Sequence, residues 1–494
     1  MSMSRRNFLE LGGAASALLT MAAACAREDQ RTSNDLAELD AVETASRIRS
    51  GELSAAESVG AAIERAQRID KKINAIAFKT FNAAREAADT REGPWAGVPT
   101  FIKDLDDLPG VPSAFGSRAF PGYKGSETTP LIDAYLELGV VSLGKSTTPE
   151  FGLTATTEPL NTGATRNPWN LEHSTGGSSG GAAALVAAGV VPVAHASDGG
   201  GSIRIPASCC GNVGLKVTRG RHPQARPETA GPFSISVHGV QSRTVRDTAA
   251  VIAAFEAANP DSGLPEVGLV TNPGERRLRI GLVTAGPYGR PIDPEVVEAT
   301  RAAARVCESL GHSVSDVSLS VAPGIEEAFM LYWAKYAWTA VTFWEQKTHL
   351  KRNGLAFEPF TLGLVELFEA EQAKFDGAVE RLLALTPEFE AILDGIDVLL
   401  SPVVASPPPA IGYLSPKRAY EEHLARVLNY VQFTSLYNIV GAPAISLPLS
   451  LSESGLPIGA MFGARTGDEK TLLELAFELE TAAPWSGRRP PLFG

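Results

Sequence analysis

Residues 176–221 carry the densest run of small side chains in the chain, GGSSGGAAALVAAG…DGGGSIRIPASCCGNVGLKVTRGR. Few folds accept such a run, because glycine and alanine let backbones pack far closer than ordinary side chains permit. Its first part, residues 176–181, is a glycine-dense loop that holds Ser178 and Ser179 and runs into a small-residue helix predicted over 182–188. Its second part, Ser197-Asp198-Gly199-Gly200-Gly201-Ser202-Ile203-Arg204, sets a serine directly after three glycines. Three residues without side chains let successive N–H groups turn toward one point, as stabilising a developing oxyanion requires. A serine closing the run then stands where it can attack a carbonyl. A Gly/Ser linker has a similar composition, but apolar β-like residues at 190–194 and at Ile203-Arg204-Ile205-Pro206 flank this segment and argue for a folded one.

The rest of the chain supplies a large α/β body. Ser54-x-x-Glu57 is a capping box that opens a helix through Ile69. Residues 98–102 read as a short strand leading into Lys103-Asp104, and 129–138 as a helix followed by a buried strand at 140–143. A strand at 279–285, a helix begun by Asp293-Pro294 and ended by Gly311, and a strand near 314–317 make a strand–helix–strand unit with parallel strands. Residues 324–394 read as mostly helical, 398–400 and 444–447 as buried strands, and 468–481 as a last amphipathic helix. No repeat and no long linker divides the 494 residues. The expectation is one α/β domain over 35–494, a central mixed β-sheet flanked by helices on both faces. An apolar share of 44% allows a sizeable core. The net charge of −12 argues against nucleic acid or an anionic membrane as partner.

The N-terminus reads as an export signal over 1–26. Ser4-Arg5-Arg6-Asn7-Phe8-Leu9 is a twin-arginine pattern, and the apolar stretch at 11–24 is too short to span a membrane. Ala24-Cys25-Ala26 fits a small-x-small cleavage site, whereas Ala22-Ala23-Ala24-Cys25 resembles a lipoprotein box with Cys25 as the lipid anchor. Both exits stay open, and both lead to a periplasmic location. Cys209, Cys210 and Cys307 are the remaining cysteines; no CxxC pair and no Cys/His cluster has metal spacing.

Two short patterns compete for attention. Gly139-Val140-Val141-Ser142-Leu143-Gly144-Lys145-Ser146 matches GxxxxGK[ST], yet a helix precedes it, β-like residues fill it and Pro149 breaks the segment after it, so it reads as a strand and turn. Gly176-Gly177-Ser178-Ser179-Gly180 matches GxSxG, the elbow of α/β-hydrolases, which would make Ser178 the nucleophile of a serine esterase. That elbow needs an apolar strand before it. Residues 166–174 are polar and contain Pro168, so no strand is expected there, and His312, His349 and His423 have no telling neighbourhood as partners.

The stretch 176–221 resembles the amidase signature family. The resemblance extends through AGVPTFIKDL around Lys103, GKSTTPEFG, ATRNPWN, AISLPLSLSESGLPIGAMFG and the tail PWSGRRPPL. Within the family the chain is most similar in appearance to the hydrolases of cyclic and linear amides related to 6-aminohexanoate cyclic dimer hydrolase. The resemblance implies the family's fold and hydrolysis of a small-molecule or oligomeric amide by a Ser–cis-Ser–Lys arrangement, with no cofactor and no metal. Carried over by position, Ser202 is the nucleophile, Ser178 the bridging serine with a cis peptide before it, and Lys103 the base. The amides of Gly199, Gly200, Gly201 and Ser202 would form the oxyanion hole.

Ser179 is expected to support Lys103 or the Ser202 region, and Asp198 and Arg204 to pair and hold the glycine turn. A lysine can serve as base here only if burial disfavours its ammonium, since an exposed one titrates near ~10.4. The family's GLKPT is Gly214-Leu215-Lys216-Val217-Thr218 here, and no acidic residue precedes Phe433-Thr434, which argues against glutamine as substrate. The aromatic run from Phe329 to Trp344 suits either a core helix or a pocket wall. A catalytically idle envelope protein of this fold is the remaining alternative, and a homodimer is left open.

Overall fold

The computed structural model describes residues 34–223 and 233–494. The export signal expected over 1–26, with Cys25, lies outside the described residues. Three short groups of strands and one long one make the framework. Strands β1 (Ile76–Lys79), β2 (Pro99–Lys103) and β3 (Val141–Ser146) pair in the order β1-β3-β2, antiparallel then parallel. Strands β4 (Arg166–Asn167) and β5 (Asn170–Ser174) form a small hairpin. Strand β6 (Val193–Asp198) runs antiparallel to β8 (Val237–Ser242), with β7 (Gly214–Lys216) between them in sequence. The long group, formed by β7 with β9 (Arg279–Leu282), β10 (Ser313–Asp316), β11 (Val398–Pro402), β12 (Ala444–Leu451) and β13 (Pro457–Gly463), has the order β10-β9-β11-β13-β12-β7.

These groups line up as one curled, mixed layer. Thr100 Oγ1 on β2 donates to Val193 O on β6 at 3.0 Å. Val213, just before β7, exchanges backbone hydrogen bonds with Ser242 at the end of β8. The expected strand–helix–strand unit is present: β9 and β10 are parallel and joined by the helix Pro294–Ser309. Asp293 caps that helix through Glu295 N, and Pro294 occupies its first turn.

Both faces of the layer are covered, and strand alternation shows it. On β11, Leu399 joins one core cluster while Val398 and Leu400 join another. On β2, Phe101 faces the cluster containing Leu185 and Val186, and Ile102 faces the opposite cluster with Tyr135. The helix Gly180–Ala187 is buried along its whole length. It has no polar face because it is enclosed, and only its small side chains let it sit so close to its neighbours. A Cβ on Gly181 would lie 2.4 Å from Thr147 Oγ1, and one on Gly180 2.3 Å from Thr175 Oγ1. Among the described residues no helix is long and apolar enough to cross a membrane.

One expectation is overturned. Residues 170–174, read as unable to form a strand, are β5. Their polar character fits because the hairpin is a separate two-stranded sheet tied by polar groups: Asn167 Nδ2 donates to Ser174 O at 3.0 Å, and Ser174 N donates to Pro409 O at 2.9 Å. Pro168 sits in the turn, where a missing N–H costs nothing. The P-loop pattern is strand and turn, as expected. Its Lys145 is fully buried and paired with Asp104 at 2.7 Å, so it is spent on holding β3 beside the end of β2.

Candidate active site

Lys103 is the last residue of β2, where strand pairing on one side and β6 on the other fix its backbone. Its side chain is fully buried. Nζ lies 2.7 Å from Ser178 Oγ, 3.0 Å from Ser197 Oγ and 3.3 Å from Ser197 O. Burial pulls the ammonium down to about 7, with Asp106 and Asp198 opposing the fall. Ser178 follows a cis peptide bond at Gly177–Ser178. Behind that bond the packing is tight: a Cβ on Gly177 would lie 2.5 Å from Thr156 O. Ser178 and Ser202 line the same cavity, together with Ser197 and Gly199.

The glycine turn that delivers Ser202 is held by Asp198, the last residue of β6. Its carboxylate accepts from Gly201 N at 2.7 Å and from Ile203 N at 3.1 Å. The expected partner is in place: Arg204 Nε and a terminal nitrogen reach Asp198 at 2.9 and 3.0 Å, both side chains being wholly buried. Asn438 Nδ2 adds a bond to Asp198 Oδ1 at 2.9 Å, and its own Oδ1 accepts from Arg204 at 2.7 Å. Burial alone would raise this carboxyl, but Arg204 and Asn438 outweigh it and hold Asp198 well below the usual carboxylate range. Thr434 Oγ1 donates to Gly200 O at 2.6 Å and fixes the other side of the turn.

One expected contact needs correction. Gly201 cannot offer its amide to an oxyanion, because Asp198 already accepts that hydrogen. The amides of Gly199, Gly200 and Ser202 have no acceptor among the described residues. Of its two expected places, Ser179 takes the Ser202 region and not Lys103. Its Oγ donates to Ser197 O at 3.1 Å, while its backbone N donates to Ser202 O at 3.3 Å. It thus ties the two loops together and braces Ser197, which itself meets Lys103.

The cavity on the Ser178 side holds about 640 Å³. Phe115, Phe120, Tyr123, Phe151, Trp333 and Tyr336 line it among other apolar side chains. The aromatic run divides by helical face, as its period allows. On the helix Ile325–Thr348, Trp333, Tyr336 and Phe343 face the cavity, while Met330 and Trp344 are buried. Trp333 also lies against the glycine turn, 3.1 Å from where a Gly199 Cβ would stand. A narrower pocket of about 60 Å³ reaches Ser202 and Gly200 from another direction, past Tyr288, Glu326 and Ser435.

Sequence reasoning missed three buried histidines. His195 on β6 accepts Lys103 N through Nδ1 at 3.3 Å, and its Nε2 meets His238 Nδ1 at 3.0 Å. His222 Nε2 donates to His238 O at 2.7 Å. Burial lowers both His195 and His222 to about 4. The apolar neighbours of His195 and His238 were the signal that could have found them, since β6 and β8 are buried at every position. Among the described residues no histidine bonds Ser178, whose Oγ partner is Lys103, so the esterase triad has no base there. His312 pairs with Glu478 and His423 bonds Thr154. Cys209 and Cys210 are buried, and burial pushes the Cys209 thiol up to about 12, leaving it inert packing.

Known proteins share both this fold and this chain's length. The family described as Amidase matches residues 57–473. The chain is 43% identical over 465 residues to the AmiC protein of Mycobacterium tuberculosis (strain ATCC 25618 / H37Rv), covering 92% of this chain and 97% of that one. It is 36% identical over 485 residues to the 6-aminohexanoate-cyclic-dimer hydrolase of Paenarthrobacter ureafaciens, covering 92% and 96%. A solved structure of 6-aminohexanoate cyclic dimer hydrolase complexed with substrate superposes with a TM-score of 0.85 at 32% identity, covering 93% of this chain and 100% of the other.

Proposed function

The chain belongs to the amidase signature family and is a hydrolase acting on amides; from that premise we propose that Ser202 is its nucleophile, with Ser178 and Lys103 as the proton relay. One observation carries the proposal: a fully buried lysine, with its ammonium disfavoured, touches Ser178 Oγ at 2.7 Å on the wall that also bears Ser202.

The chemistry comes from those positions. Ser202 Oγ attacks the carbonyl carbon and passes its proton to Ser178, whose own proton moves to neutral Lys103. The carbonyl oxygen becomes an oxyanion and accepts from the amides of Gly199, Gly200 and Ser202. Collapse of that intermediate breaks the C–N bond. Lys103 returns its proton through Ser178 to the leaving nitrogen, and an acyl ester on Ser202 remains. Water repeats the cycle and releases the acid. Every step is served by protein groups, and none calls for a metal or a cofactor.

The aromatic cavity suits an apolar or aryl acyl group, and the narrow pocket beside Ser435 suits a small leaving amine. The twin-arginine pattern supports export of the folded enzyme to the periplasm. Replacement of Arg5 and Arg6 by Lys should retain it in the cytoplasmic fraction.

A fluorophosphonate probe followed by peptide mapping tests the nucleophile. The expected result is a single adduct on Ser202, lost in Ser202→Ala. An adduct on Ser178 instead would restore the esterase reading, and no adduct at all would favour an idle fold.

A further inference from the structure

We propose that Trp333 is a specificity-determining partition: it separates the acyl cavity from a narrow pocket that admits only a small leaving amine, and so directs the enzyme to primary amides and amides of short amines. The inference rests on the reading that Ser202 is the nucleophile and that the larger cavity takes the acyl part.

Two spaces converge on Ser202, one of about 640 Å³ and one of about 60 Å³. Gly152, Leu153, Ser202 and Trp333 border both. Ser202 is the reacting group and Gly152 has no side chain, so Leu153 and Trp333 supply the wall. The glycine turn divides along the same line, with Gly199 on the large cavity and Gly200 on the narrow pocket. The helix Ile325–Thr348 divides there too. Phe329, one turn before Trp333, lines the narrow pocket, and Tyr336, one turn after, lines the large cavity. Phe329 stacks on Trp333 with ring centroids 5.7 Å apart and planes 26° apart.

The indole is a strut held at both ends. Its Nε1 donates to Leu153 O at 3.0 Å. Its far edge, Cζ3 and Cη2, lies 3.1 and 3.2 Å from where a Gly199 Cβ would stand. The Leu153 end is itself fixed. Phe151 and Gly152 both take positive φ, +51° and +71°, which for a phenylalanine persists only where the surroundings impose it. A Cβ on Gly152 would lie 2.8 Å from Leu105 Cδ1 and 3.1 Å from Ser178 Oγ, so this turn packs against the proposed relay without slack. Behind it, the buried Glu150 carboxylate accepts from Ser117 Oγ at 2.7 Å and from Glu358 N at 2.8 Å.

Size gives the partition its use. The acyl and nitrogen substituents of a carbonyl attacked by Ser202 point away from each other. With the acyl part in the large cavity, the nitrogen substituent meets the narrow pocket. One water needs ~10–15 Å³ on this scale, so about 60 Å³ has room for roughly four or five non-hydrogen atoms. A propylamine fits and a benzylamine does not.

Two variants test this with amides of one acid, 3-phenylpropanoic acid, which all pass through the same acyl-enzyme. Wild type should favour the N-methyl amide over the N-benzyl amide by about 100-fold in kcat/KM. Trp333→Ala should lower activity on the N-methyl amide and raise it on the N-benzyl amide, so that the ratio falls by about tenfold or more. Val427 lines the narrow pocket and not the large cavity. Val427→Phe should cut kcat/KM for the N-propyl amide by about tenfold and hold the primary amide within about threefold of wild type. A wild-type preference for the N-benzyl amide, or equal loss of both activities in Trp333→Ala with the ratio unchanged, overturns the proposal. Should Trp333→Ala fail to fold, Val427→Phe still decides: equal effects on the N-propyl and primary amides, or none on either, overturn it. Fluorophosphonate labelling of Ser202 in the same variants reports separately on the nucleophile, so failure of that assignment is distinguishable from failure of this one.

Discussion

If Lys103 is the base of the proposed relay, kcat/KM measured from about pH 5 to 9 should follow its protonation. Burial takes its ammonium from the ordinary 10.5 to about 7, against the pull of Asp106 and Asp198. That fall corresponds to about 5 kcal/mol disfavouring the charged form. Two pH units below such a value only ~1% of the lysine is neutral, so kcat/KM should fall about 100-fold between the alkaline plateau and pH ~5. Lys103→Ala should lower the plateau by roughly 10²- to 10⁴-fold and erase the acid limb. His195 and His222 titrate near 4, below the window. Glu480 is pushed up to about 7 by burial but bonds Val245 N, so Glu480→Gln should keep the limb. A flat wild-type profile, or an acid limb that survives in Lys103→Ala, would refute the relay. The stability sign runs the other way from the usual ion pair. The folded value lies below the unfolded one, so from about 7 to 10.5 the unfolded chain binds more protons. The burial penalty is full below about 7 and vanishes as pH rises through 10.5, so Lys103→Met should melt higher than wild type at about pH 6.

Gly201→Ala should abolish activity: φ there is +130°, and the new Cβ would lie 2.3 Å from Thr434 Oγ1 and 2.7 Å from Ile205 Cδ1, prying the turn open. Arg204→Ala leaves Asp198 charged and buried and should cost about 3–5 kcal/mol in denaturant unfolding, with Ser202 labelling slowed in whatever protein folds. Trp333→Ala removes a cavity wall beside Gly199 and should cut kcat/KM for an aryl acyl amide about tenfold in steady-state assays. Glu358 is raised by burial and by the neighbouring Glu150, so its contribution to stability is present below the ordinary carboxylate range and is lost as pH rises through its raised value; Glu358→Gln should flatten that loss in thermal melts.

The sequence made the chemistry legible where it was local. DGGGS could be read because three glycines before a serine have a physical use, and the capping box at Ser54 and the Asp293-Pro294 start both appear as read. Lys103 was legible only through resemblance, since an Ile-Lys-Asp segment looks like any strand end. What stayed hidden depends on distant pairing. Asn438 and Thr434 look like ordinary helix residues until the fold sets them against Asp198 and Gly200. His195 meets Lys103 N and His238 only because β2, β6 and β8 lie side by side, which no spacing announces. The β5 strand was misread because its stability comes from polar ties to Pro409 and Asn167 and not from an apolar face.

The brace behind the glycine turn also sets a clock. Asp198 and Gly200 are fastened by residues 234–240 positions farther along the chain. A nascent polypeptide that already holds Lys103, Ser178 and Ser202 therefore still lacks a rigid oxyanion cradle until Thr434 and Asn438 have emerged and docked. On the proposed mechanism, a truncated product ending before Thr434 should therefore lack amidase activity.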